Sequence, residues 1–590
     1  MTIASCVGPL RRRLETIYPD RADEAQAAIE QQLAPYLGEV HPTPAARWSE
    51  RDVVLITYAD QVRDDAGIGR SPLTTLHDWL RQRELTDALS TVHLLPFCPY
   101  SSDDGFSVID YLAVDPDSGS WHDIAALGDD FDLMFDLVLN HISQHSDWYQ
   151  AYLRSEPPYD RYFIAADPTL DYSQVVRPRS LPLLTPAEVA TPAGPETRHV
   201  WTTFSDDQID LNYAEPAVLA TMLRILVEYA RRGARIIRLD AVAFLWKELG
   251  TSCLHLPQTH EIVKLMRDVL EALAPGTLVL TETNVPHAEN ISYFGGDPSA
   301  SPGQAAPGDE AHMVYQFSLP PLLLEAFLSG DASAIGAWLS DLAPPPPGCT
   351  FFNFTASHDG VGVRPLEGLV SAERFDCLVD AVKRRGARIN TRRRPDGSDA
   401  PYELCIAYFD ALAPDSGDGE LHVRRFLASQ AVMLALQGMP AVYFHSLVGT
   451  PNDTAGADAT GINRRINRRK YGCNELDALV DDPLGTQHAV FERYRTMLRH
   501  RIAEPAFHPD AAQQVVPQAA PSVLAWQRTS CDGAHCVLAA VNFAEEAATL
   551  QRPPEFQGAT ADLISGELIA AGESLALAPG QAVWLGGSSG

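Results

Sequence analysis

The feature that most limits how this chain can fold is a recurrence of short runs rich in β-branched and aromatic residues, set between stretches with helical apolar spacing. The runs are VVLITYA from Val53, TVHLLPF from Thr91, DLMFDLVLN from Asp132, ARIIRLDAV from Ala234, TLVLTETN from Thr277, HMVYQF from His312, TFFNFTASHD from Thr350 and AVYFH from Ala441. Strands that alternate with helices favour parallel pairing, because each crossover helix covers one face of the sheet. Eight such units suit a closed (β/α)8 barrel of the TIM type.

The spacing of the runs is uneven. From Asn140 to Ala234 the chain is too long for a simple strand-to-helix loop, and the same holds after Asp359, where KRRGARINTRRRPDG lies. Beyond Pro505 the pattern changes to alternating strands such as SVLAWQRT and HCVLAAVNF with turn residues between them. The predicted plan is a helical N-terminal extension over 1–50 and barrel segments over 51–140, 215–358 and 419–504. One small inserted domain follows strand 3 (141–214), a second follows strand 7 (359–418), and a C-terminal antiparallel β domain covers 505–590. At 590 residues the chain exceeds what one core usually serves, which agrees with this division.

Asp and Glu number 77 against 45 Lys and Arg, a formal charge of -32, which disfavours nucleic acid and anionic membranes as partners. The nine cysteines are scattered, with no CxxC pair, and read as reduced thiols. No apolar run resembles a signal peptide or reaches the length of a membrane span, so the expectation is a cytoplasmic protein.

Four predicted strands end in polar residues: DLVLNH (Asp136 to His141), RLDA (Arg238 to Ala241), TETN (Thr281 to Asn284) and SHD (Ser357 to Asp359). In a barrel the C-terminal strand ends face one pocket, so Asp240, Glu282 and Asp359 converge there. A lone aspartate at a strand end is most often a helix cap or turn residue. Three acids in one pocket point instead to glycosidic chemistry: one attacks the anomeric carbon, one exchanges a proton with the leaving oxygen, and negative charge favours an oxocarbenium-like transition state. Arg238 is expected to hold Asp240 ionised, while Glu282 must start protonated, so the two pKa values should split.

The ordered set of segments, with QIDLN at 208–212 and GMPAVYF at 438–444, resembles the α-amylase family (glycoside hydrolase family 13). The likeness implies that Asp240 is the nucleophile, Glu282 the acid/base and Asp359 the transition-state stabiliser. Within that family ITYAD, LPF with DDGFSVIDY, RPR at 177–179, GTSC, QFSLPPLLL, HDGVGV and INR at 466–468 resemble the sucrose phosphorylase group. This resemblance implies that Asp103, His141, Arg238, His358 and Arg468 grip a glucosyl unit and that Phe106 stacks on it. By the same likeness Phe204 and Gln208 shape the surroundings of a covalent intermediate, and an Asp103–Arg468 pair closes the pocket behind the sugar. Arg179, with Arg177 in support, is the expected phosphate ligand.

ETNVPH after the acid/base and the short RPLEGLV loop depart from sucrose phosphorylases proper and look most like the glucosylglycerate phosphorylases of the group. The implied reaction is reversible phosphorolysis of an α-glucoside, glucosylglycerate, to α-D-glucose 1-phosphate and D-glycerate through a glucosyl-enzyme. Sucrose 6′-phosphate or sucrose phosphorolysis, hydrolysis, and a non-catalytic binding role are the alternatives. Arg364, Arg392, Arg393 and Arg394 are candidates for a charged acceptor. No cofactor or metal is expected, phosphate being a substrate, and the expected partners are a small sugar and phosphate, in a monomer or homodimer.

Overall fold

A computed structural model describes residue 3 and residues 8–38, 46–65, 67–179, 181–296, 307–393 and 398–588. The eight runs form eight barrel strands: β1 (Val54–Thr57), β2 (Thr91–Leu94), β3 (Asp132–Val138), β4 (Ala234–Asp240), β5 (Leu278–Thr281), β6 (Met313–Tyr315), β7 (Thr350–Phe354) and β8 (Met439–Tyr443). All neighbouring pairs are parallel, and β8 closes on β1 with Val54 opposite Ala441. Most strand residues are buried on both faces, which explains why these runs are nearly continuous in apolar residues rather than alternating.

Crossover helices supply the outer layer. Several begin with proline in the first turn, as in α1 (Pro72–Gln82), α2 (Pro216–Arg231) and α3 (Pro257–Leu273), where a missing N–H costs nothing. The N-terminal helices Leu10–Ile17 and Ala22–Leu33 lie on α3 and α2. Arg13 anchors the first of them, with Nε 2.6 Å from Asp268 and Nη1 3.1 Å from Glu261, both on α3.

After β3 the chain forms an antiparallel pair, His141–Ser143 with Gln208–Asp210, and a partly buried hairpin of Leu184–Thr191 and Gly194–Trp201. After β7 a three-stranded antiparallel sheet is built in the order Val361–Gly362, Asp399–Cys405, Arg388–Arg393. The C-terminal region is antiparallel throughout, with a four-stranded sheet of Ala512–Val515, Val523–Thr529, His535–Asn542 and Ala582–Ser588. No helix among the described residues is long and apolar enough to cross a membrane. The two insertions stand at the C-terminal ends of β3 and β7 and so wall the mouth of the barrel.

Candidate active site

The pairing of β3 with β4 sets Asp136 opposite Arg238 and Val138 opposite Asp240. Arg238 and Asp240 are two residues apart on one strand and share a face. Arg238 Nη1 donates to Asp240 Oδ1 at 2.8 Å and also to Asp136, while its Nε donates to the Tyr315 hydroxyl at 3.1 Å. His93 on β2 completes the row, with Nε2 2.6 Å from Asp136 Oδ2. Burial acts to raise the Asp136 carboxyl, but the charges of Arg238 and His93 together bring it down to about 2. Asp136 is thus a fixed counter-charge that holds Arg238 under Asp240.

Glu282 follows β5. Ala241 adopts a left-handed conformation (φ 49°, ψ 30°), and this turns its N–H onto Glu282 Oε2 at 3.0 Å. Burial raises both Asp240 and Glu282 above the ordinary carboxylate range; Arg238 opposes the shift at each, and the charge of Glu282 adds to it at Asp240. The expectation that Arg238 would hold Asp240 low therefore needs correction: the guanidinium is a counterweight, and desolvation prevails. Two acids that each oppose ionisation of the other favour a state with one proton between them.

Asp359 lies beyond β7. Its Oδ1 is 2.7 Å from Arg464 Nη1, 3.5 Å from His358 Nε2 and 3.9 Å from Arg468 Nη2. Arg468 is wholly buried, and its Nε donates to the His358 carbonyl at 2.7 Å. Its Nη1 stands 3.5 Å from Asp103 but 2.8 Å from Asp104, so the predicted partner is the more distant of two. Both aspartates have positive φ and precede Gly105, where an added Cβ would lie 2.5 Å from the Pro96 carbonyl oxygen. That tight turn sends Asp103 into the pocket with the three acids, while Asp104 lines a second cavity beside Asp60 and Lys470.

Phe106 lies parallel to His358, with ring centroids 4.6 Å apart. The Phe106 carbonyl accepts from His141 Nε2 at 2.9 Å and from Gln208 Nε2 at 3.1 Å, and Phe204 packs on His141 at 5.2 Å. The other His141 nitrogen faces the Asn140 amide at 3.3 Å, so protein groups occupy both ring positions. Asp103, Phe106, His141, Arg179, Phe204, Gln208, Asp240, Glu282, His358 and Asp359 line one pocket, and Arg238 and Arg468 lie buried in contact with its acids.

The arginines of this pocket fall into two kinds. Arg364 is 3.4 Å from Glu289, and Arg392 is 2.5 Å from Glu367. Arg177 and Arg179, on either side of the buried Pro178, have no hydrogen-bond or ion-pair partner among the described residues. Arg393 ends the strand Arg388–Arg393; its side chain and Arg394 lie outside the described residues.

Residues 88–324 match the family model described as the α-amylase catalytic domain. A glucosylglycerate phosphorylase of Allomeiothermus silvanus is 50% identical over 80% of this chain and 82% of its own length. One from Escherichia coli is 44% identical over 91% and 92%. The chain belongs to the glucosylglycerate phosphorylase family. Among solved structures, the sucrose 6F-phosphate phosphorylase of Thermoanaerobacter thermosaccharolyticum superposes with a TM-score of 0.70 at 25% identity, covering 84% of this chain and 94% of that one.

In this glucosylglycerate phosphorylase family member, five residues that sequence reasoning did not single out also bear on the site: Asp104, Lys247, Tyr402, Glu403 and Arg464. Lys247 Nζ lies 2.6 Å from Asp210, 2.7 Å from Asn140 Oδ1 and 2.5 Å from the Phe244 carbonyl, so an ammonium sits where three oxygens converge. No group of three or more His, Cys, Asp or Glu among the described residues is arranged to hold a metal. Arg464 had a legible signal, since INRRINRR contains two INR triplets and Arg464 ends the first as Arg468 ends the second. Tyr402 and Glu403 come from a strand of the second insertion, and nothing in their local sequence marks them.

Proposed function

We propose that this chain catalyses reversible phosphorolysis of glucosylglycerate to α-D-glucose 1-phosphate and D-glycerate, with retention of configuration. The observation that carries the reading is the pair of guanidiniums, Arg177 and Arg179, which form no hydrogen bond or ion pair with any described residue and lie in the same pocket as two buried carboxyls. A hydrolase of a neutral glucoside, whose second nucleophile is neutral water, brings no anion for these cations to meet. Phosphate and glycerate are both anions, and each must approach the same anomeric carbon.

In the forward direction Asp240 attacks the anomeric carbon while Glu282 gives its proton to the departing glycerate oxygen, leaving a glucosyl ester on Asp240. Glu282, now ionised, takes a proton from phosphate as a phosphate oxygen displaces Asp240 from C1. Asp359 supplies negative charge beside the ring as it gains oxocarbenium character. Asp103 and His358 fix the glucosyl hydroxyls, Arg468 holds Asp103 and Asp359 from behind, and Phe106, Phe204, His141 and Gln208 form the wall around the intermediate. We read the cycle as independent of metal and cofactor, because Lys247 already meets the Asn140 and Asp210 oxygens with a positive charge.

The test is to incubate the protein with α-glucose 1-phosphate and, separately, D-glycerate, fructose, fructose 6-phosphate or no acceptor, and to follow phosphate release. Glycerate is expected to support the fastest release. Preference for fructose 6-phosphate, also an anion, moves the acceptor assignment; no release in any tube removes the donor assignment as well.

A further inference from the structure

Glu403 is a buried carboxylate that the reaction above does not use. It lies in the strand Asp399–Cys405 of the second insertion, 1% exposed, and its two oxygens accept four hydrogen bonds from N–H groups, with the Cys405 thiol 3.7 Å from Oε2. Arg464 donates to both, Nη2 at 2.9 Å and Nε at 3.0 Å; the Gly360 N–H donates at 3.0 Å and the Asn390 amide at 2.8 Å. Four bonds fill the acceptor capacity of a carboxylate. Burial acts to raise its pKa, yet the charge of Arg464 keeps it below the ordinary glutamate range, so it is ionised.

The four N–H contacts lead toward Asp359. Arg464 spends one edge of its guanidinium on Glu403 and turns Nη1 to Asp359 at 2.7 Å. Gly360 is the next residue after Asp359, and a Cβ there would come 2.6 Å from Glu403 Cγ, so only glycine allows the approach. Asn390, the fourth donor, receives Asn463 at 2.8 Å, one residue before Arg464. Glu403 therefore holds both the backbone beside Asp359 and the cation in contact with its side chain.

The electrostatic consequence follows from counting charges. Arg464 alone would neutralise Asp359 at 2.7 Å and spoil it as a stabiliser of positive charge. With Glu403 ionised the three groups carry a net charge of about -1, and since Arg468, 3.9 Å from Asp359, is met by Asp104 at 2.8 Å, Asp359 keeps its field toward the sugar. The geometry points to Glu403 as a positioning residue for glucosyl transfer, acting through Arg464 to keep Asp359 oriented and effectively anionic. The inference rests on the reading of Asp359 as transition-state stabiliser. The plainer role, an ion pair that merely docks the insertion onto the barrel, makes no difference between charged and neutral ligands.

That difference is the test. Inhibition by 1-deoxynojirimycin, a cationic iminosugar, and by glucose is compared in the full-length native protein and in Glu403→Gln at mildly acidic pH. In Glu403→Gln the iminosugar is expected to bind about tenfold more weakly while glucose stays within about twofold, because only the cation senses the lost charge. In the double variant Arg464→Gln/Glu403→Gln, Asp359 regains an uncompensated charge and the preference for the cation returns. This second variant removes the pair as a unit and keeps the proposal testable should the single variant fold poorly. Equal weakening of both ligands in Glu403→Gln, or no recovery in the double variant, overturns the positioning role. A native protein that does not favour the iminosugar over glucose instead overturns the reading of Asp359.

Discussion

The backbone N–H of Ala241 donates to Oε2 of Glu282 over 3.0 Å, and so ties the residue after Asp240 to the second carboxyl. Ala241 reaches this position with φ at 49°, a conformation that a residue with a Cβ holds only when its surroundings impose it. The two acids are therefore held together by main chain, and their roles can be separated by substitution.

Asp240→Asn is expected to reduce turnover by about 10⁴-fold or more with any donor, since no other carboxylate is placed to attack C1. Glu282→Gln should lose about 10²–10⁴-fold with donors whose leaving oxygen needs a proton and much less of the first step with α-glucosyl fluoride. Fluoride release against phosphate release measures the difference. Equal losses with both donors would show that Glu282 is not the proton donor.

The raised carboxyls also make a stability prediction. Burial raises both Asp240 and Glu282, against Arg238 at each, so the pair holds one proton, which Glu282 carries when the reaction begins. The folded protein thus keeps a proton that the unfolded chain releases near pH 4. The contribution of such a group is fully present below the unfolded value and is lost as pH rises through the folded one. Asp240→Asn, which cannot ionise, should gain on the native protein by about 1–2 °C in Tm as pH goes from 5 to 8.5. A Tm difference that stays flat across this range contradicts the raised value.

Arg179→Gln is expected to impair phosphate and glycerate as acceptors together, by about tenfold or more, while transfer from α-glucosyl fluoride to water or glycerol persists. Arg177→Gln should do the same to a smaller extent. By contrast Arg392→Gln, whose native charge is met by Glu367, should change these rates little. Acceptor competition in the native protein gives the matching result, with phosphate opposing glycerate.

EDTA is expected to leave native activity unchanged. Lys247→Ala strands the Asp210 carboxylate and the Asn140 oxygen without their cation, and breaking a buried pair of this kind costs about 3–5 kcal/mol. A clear fall in Tm checks this. Loss of native activity on chelation, restored by a divalent ion, would overturn the metal-free reading.

The eight strand runs, their order and the strand-end placement of Asp240, Glu282 and Asp359 were all readable from the chain. The reason is local: parallel strands buried on both faces require continuous apolar runs, and a closed barrel brings their C-terminal ends together whatever the loops do. Arg238 was readable too, because two residues along a strand return to the same face.

Charge pairing was decided only by tertiary structure. Arg468 meets Asp104 more closely than Asp103, 364 positions away, because a turn at Gly105 separates two adjacent aspartates. Arg177 and Arg179 form no ion pair with a described residue while Arg364 and Arg392 do, though all four are arginines in polar segments. Glu403 belongs to an unremarkable strand, yet it braces Asp359 through Arg464. Periodicity records which side of a strand or helix is buried, whereas an ion pair depends on a few ångströms between remote segments, and that distance exists only once the barrel and its insertions have closed around the site.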